Sequence, residues 1–173
     1  MEHLLPGLHV LFASALVGGE ILLFFAVVPS TWLIDDEGLR RQVTIVVARR
    51  FSSIVGVSLV GLLVTGLAMF YTDIFVPPGI REDIMGFHFG RVFVAKMTLF
   101  LVLIAMIGIH GAVFGRRIAR ISDAVEAGEM EPGELEQARR NSFLFSAFMV
   151  VVAVLLIFLG ASLGNHAYSH DPL

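Results

Sequence analysis

The feature that most constrains this chain is the spacing of its apolar blocks. Four of them, roughly residues 4–28, 51–75, 89–114 and 142–164, each exceed the ~20 residues that a helix needs to cross a hydrocarbon core of about 30 Å. Inside lipid every backbone N–H and C=O must be paired within the segment, so helices are the expected form. The first block closes on Pro29 and the second on "VPPG", Val76–Gly79. Composition agrees: 57% of the 173 residues are hydrophobic and only 16% are charged, against about 25% charged in soluble domains. The predicted fold class is an all-α integral membrane protein, a four-helix transmembrane bundle in a lipid bilayer, with residues 1–173 forming a single transmembrane domain.

Charge sets the orientation. Arg40, Arg41, Arg49 and Arg50 lie in the first connection, and Arg116, Arg117, Arg120, Arg139 and Arg140 in the third. The second connection offers Arg81, with Arg91 at the following helix start, and neither end of the chain has a Lys or Arg. The positive-inside rule therefore predicts both termini outside. The first connection, "DDEGLRRQVTIVVARR", extends the second helix or lies on the membrane surface. The third is acidic and helix-prone on both sides of Pro132-Gly133, and predicts a short cytoplasmic helical hairpin over about 116–140 that serves as a connector. The first block lacks a basic leader and a small-x-small cleavage site, so it reads as a retained helix rather than a signal peptide. There is no cysteine, which excludes disulfides, thiolate metal sites and iron–sulfur clusters. The net charge of −3, with no basic stripe, offers nothing to a nucleic acid.

Polar residues inside the apolar blocks carry whatever chemistry there is, because ionisable groups in membrane helices are expensive. "LHVLFASALVGGEILLFF" holds His9 near its outer end and Glu20 deeper, eleven residues apart and close to three whole turns. The third block holds Lys96 about two turns in and His110 near its inner end, within about 40° of one face. Glu20 and His110 are read as an intramembrane polar pair. The second block brings Thr65 and Met69 to the outer half, and the fourth ends in "GNHAYSH" with His166 and His170. Histidine is the commonest metal ligand; imidazole with thioether suits copper, and imidazoles across a bundle suit haem. Each residue also has an ordinary reading. Lys96 snorkels to headgroups, the methionines fill space, and His88 and His170 are exposed loop residues outside the bundle. His9 is the hardest to explain away, since it lies inside the span on the same seam as Glu20.

"LHVLFASALVGGEILLFFAVVP" resembles the first helix of the copper-resistance protein D (CopD) family: a histidine, a Gly-Gly pair about nine residues on, and a closing proline. "RRFSSIVGVSLVGLLVTGLAMF" resembles that family's second signature, a basic-Phe-Ser start followed by an apolar run and Thr-Gly. "FGRVFVAKMTLFLVLIAMIGIHGAVFGRR" resembles its third, a glycine a few residues before an intramembrane lysine. The resemblance covers about residues 5–120. Val17 stands where the family usually has an aromatic residue, and Glu20 where it has an apolar one. The layout is also similar to HemJ-type haem-associated membrane proteins, which pair a first-helix histidine with a third-helix lysine, although their aromatic-rich ending of the first helix is absent.

The resemblance implies a membrane protein handling haem or copper near the outer face, in a bacterial plasma membrane. The favoured expectation is haem b, with electron transfer to a redox partner. His9 would be one axial ligand and His166 or Lys96 the other, with Arg91 pairing the propionates. The alternative is copper handling through His9, His166 and Met69. A third is a non-catalytic accessory subunit of a larger membrane complex. Scattered methionines and the absence of cysteine place haem ahead of copper.

Overall fold

In the computed structural model, which describes residues 3–172, the regular structure is helical. Four helices are long and apolar enough to cross a membrane: α1, Leu4–Thr31; α2, Glu37–Phe70; α4, His88–Glu126; and α5, Pro132–Gly164. Two short helices complete the chain, α3 at Pro78–Glu82 and α6 at His166–Ser169. The all-α membrane class expected from the apolar blocks is the class observed. Large apolar side chains face outward along these helices, with Phe25 69%, Phe158 66% and Val57 65% exposed. In water such continuous apolar surface is a liability; against lipid it is the surface an integral membrane protein presents.

The helices are longer than their apolar blocks. α2 begins at Glu37, where the Asp36 carboxylate accepts the Leu39 N–H at 2.7 Å and Glu37 occupies the positive end of the helix. The mixed segment before Phe51 is therefore a helical extension. α4 ends in a Schellman turn: Gly128 takes a φ of 74°, its N–H reaches Val125 O at 3.0 Å, and Glu129 N–H reaches Ala124 O at 2.8 Å. Pro132 then opens α5 at a position that needs no N–H.

Two helices contain a wide π turn. In α1 it spans Leu23–Val27, with the Val28 N–H reaching back to Leu23 O. Pro29 follows at once, and a widened turn relieves the clash of its ring with the preceding carbonyls. In α4 it spans His110–Gly115 and starts on the histidine itself.

The chain forms two compact units. The first, up to Val92 plus the residues from Ala161 onward, is built on α1 and α2 packed antiparallel. Two glycines allow their close approach. A Cβ on Gly61 would lie 2.5 Å from the Phe12 ring, and one on Gly19 would lie 2.6 Å from the Phe51 ring. Leu16, Val17 and Val55 are buried there. The loop after α2 and the C-terminal segment are tied together: His88 N–H donates to Asp171 O at 3.2 Å, and a single antiparallel bridge joins Phe87 to Pro172. The second unit, Phe93–Gly160, pairs α4 with α5. Its core runs from Leu103, Met106, Met149, Val152 and Ala153 to a separate cluster of Ile121, Leu135 and Ala138, backed by Ile118 and Val125, near the turn.

Candidate cofactor site

His9 is half-buried on α1, and its ring is held by α2. Its Nδ1 lies 2.7 Å from Thr65 Oγ1. The Thr65 hydroxyl has one hydrogen, which it donates to Gly61 O at 2.6 Å. With that hydrogen on Gly61 O, the hydroxyl oxygen accepts from Nδ1–H of His9; in the other tautomer the hydroxyl donates to Nδ1 instead. Gly66, one residue on, lies under the ring; a Cβ there would sit 3.2 Å from His9 Cε1. Helix α2 thus seats the imidazole. A histidine that ligates through one ring nitrogen is commonly oriented by a hydrogen bond at the other. An open apolar groove of about 580 Å³ runs beside the pair, lined by Phe12, Gly56, Val60, Gly61, Val64 and Thr65 among others.

A second group of imidazoles closes the same unit. His166 and His170, one turn apart on and after α6, stack with ring centroids 4.5 Å apart and planes 13° apart. His88 stacks on Tyr168 at 4.8 Å. His88 and His170 are both partly buried, not the exposed loop residues expected, because the C-terminal segment folds back onto the loop after α2. Burial and the neighbouring His166 imidazole hold His170 below the ordinary histidine value of 6.5, with the Phe75 backbone acting in the opposite direction. His170 Nε2 is buried without a hydrogen-bond partner among the described residues. His166 and Arg91 are exposed, and Met69 is half-buried in the last turn of α2.

The remaining polar residues have distinct settings. In the second unit Lys96 is half-buried and shares its level with Gly160 of α5, where a Cβ would meet Nζ at 3.5 Å. It has no hydrogen-bond or ion-pair partner among the described residues. His110 Nε2 lies 2.9 Å from Ser142 Oγ and 3.4 Å from Ser146 Oγ, and its ring borders Phe114 and Phe145. Ser142 and Ser146 escaped the sequence reading; their spacing of one turn in "NSFLFSAF" was the available signal. Glu20, in the first unit, is 7% exposed, and its Oε2 has no hydrogen-bond partner among the described residues. Among the described residues no three His, Asp or Glu side chains converge as a metal-holding group.

The chain matches no family model, no curated protein and no solved structure. Its chemistry therefore rests on its own residues.

Proposed function

We propose that this is a haem-b-binding protein of the bacterial plasma membrane, resembling the CopD family, in which His9 would hold the haem. The observation that carries this reading is the Gly61 O–Thr65 Oγ1–His9 Nδ1 chain, which holds the first-helix imidazole in place through one ring nitrogen. The donor set fits the group: a haem needs one or two axial donors and an apolar bed, and His9 has a groove of apolar side chains and glycine beside it. His166 is the candidate second ligand, and Arg91, exposed at the start of α4, a candidate partner for the propionates. When bound, the haem would supply one-electron chemistry, and the protein would serve electron transfer rather than catalysis. Thr65 orients the imidazole, and the apolar side chains beside it would form the bed for the macrocycle.

The test is the absorption spectrum of the protein purified from membranes, before and after addition of haemin. A b-type spectrum that is lost or strongly changed in His9→Ala, and kept in His88→Ala, supports the proposal. A folded wild-type protein that stays colourless with haemin overturns it; copper retained by that same preparation and lost in His9→Ala would put copper in its place.

A further inference from the structure

Glu20 has no part in the haem reading, and its setting is the least ordinary in the molecule. It sits on α1 about 24 Å along the axis from Leu4 and about 16 Å from Thr31, at 1.5 Å per residue. The carboxyl is thus about three turns from one end of the helix and more than four from the other. The residue is more than nine-tenths buried. Its Oε2 is closed off from solvent and accepts no hydrogen bond among the described residues. The α2 segment packed against this part of α1 is the one around Phe51, whose ring lies on Gly19. The charged groups there are Arg49 and Arg50, both exposed, and neither forms a hydrogen bond or ion pair with Glu20. The remaining basic groups of the described chain do not pair with it either.

A carboxylate in that position would hold a full negative charge with no counter-charge beside it and with Oε2 accepting no hydrogen bond among the described residues. A protonated carboxyl there leaves only a neutral dipole imperfectly satisfied, a far smaller penalty. We infer that Glu20 is an intramembrane proton-binding site, a carboxyl that carries a proton in the folded, membrane-embedded chain and exchanges it with solution. The ligand is the proton itself: a lone carboxyl without further oxygen donors is a poor site for a metal cation, which needs several. The wide turn at Leu23–Val27 begins three residues further on. It leaves the helix ladder locally irregular on the side from which Glu20 is nearest to a helix end.

The test uses the full chain in liposomes and two readouts. Infrared spectroscopy at neutral pH reads the carbonyl stretch of a protonated carboxyl, to which the exposed, ionised acids do not contribute. That band is expected in wild type, to fade as the pH is raised, and to be lost in Glu20→Gln. Dicyclohexylcarbodiimide, an apolar reagent, reads the same proton chemically. The carboxyl oxygen bonds to the carbodiimide carbon, the acid proton passes to nitrogen, and an acyl shift gives an N-acylurea, so the peptide gains the whole reagent and nothing leaves. The adduct is expected on the peptide containing Glu20, in preference to those containing Asp36 or Glu134, and to be absent in Glu20→Gln. Should the glutamine variant fail to fold, Glu20→Asp keeps a carboxyl at the site, and its band must appear at a shifted frequency. Absence of the protonated band from wild type at neutral pH overturns the inference, as does a band unchanged in the folded glutamine variant. Neither readout involves haem, so a colourless protein leaves this result standing.

Discussion

Replacing Thr65 by valine tests the hydroxyl that positions His9. Valine matches threonine in shape, so no cavity opens, and it stays β-branched in the helix. What is lost is the hydroxyl 2.7 Å from His9 Nδ1 and 2.6 Å from Gly61 O. The Gly61 carbonyl still has the backbone N–H of residue 65 in the α2 ladder, so the damage falls on His9. A fully buried polar group left without a partner costs about 1–3 kcal/mol, and His9 is half-buried. Side-chain hydrogen bonds between membrane helices have averaged about 0.6 kcal/mol by double-mutant cycles. The expected loss is about 1 kcal/mol, roughly a fivefold shift in the folded-to-unfolded ratio. It is read from reversible unfolding in bicelles or mixed micelles, in wild type, Thr65→Val, His9→Phe and the double variant. If the hydroxyl acts through His9, valine costs less once His9 is gone, and Thr65→Ser retains most of the stability. Equal costs of Thr65→Val in both backgrounds would refute the coupling, and no cost in either would show that the hydrogen-bond chain adds nothing.

Three further outcomes are expected. Gly61→Ala should destabilise the protein by about 1–3 kcal/mol through overpacking against Phe12, whereas Gly18→Ala, which meets nothing within 4 Å, should leave the unfolding midpoint unchanged or raised. Because His170 is held below 6.5 by burial and by His166, the unfolded chain binds its proton more readily than the folded one. Stability therefore falls as the pH drops below about 6.5, and hydrogen exchange at residues 165–172 should quicken there in wild type but not in His170→Gln. A reporter fused after Leu173 should lie outside the cytoplasm, as the arginines of the first and third connections demand; a cytoplasmic signal would invert the orientation.

The helices were legible because lipid leaves a chain so little choice. Apolar blocks of 23 residues or more have one regular way to satisfy their backbone in a bilayer. Where water takes over, the signal weakened. The stretch from Glu37 to Arg50 mixes charge with apolar residues, and only the Asp36 cap shows how far α2 extends. The wide turn before Pro29 had a cue in that proline, but the one starting at His110 had none, since the ladder there shifts without any residue that forbids an ordinary helix. His9 and Thr65 were each placed in the outer half from the sequence; that they touch depends on the register of two helices, which no periodicity within one helix reveals. Depth and the facing of each polar seam suggest Glu20 and His110 as a pair; neither signal points to Ser142 and Ser146 of α5, the partners of His110 within its own unit.

The ring-on-glycine contacts between α1 and α2 are reciprocal: Phe12 of α1 rests on Gly61 of α2, and Phe51 of α2 rests on Gly19 of α1. The two seats lie about two helical turns apart along α1. Sliding one helix past the other by a single turn, about 5.4 Å, would lift both rings onto larger neighbours at once. The pair thus resists piston motion, and a slide of α1 along α2 that carried His9 would have to unseat both rings.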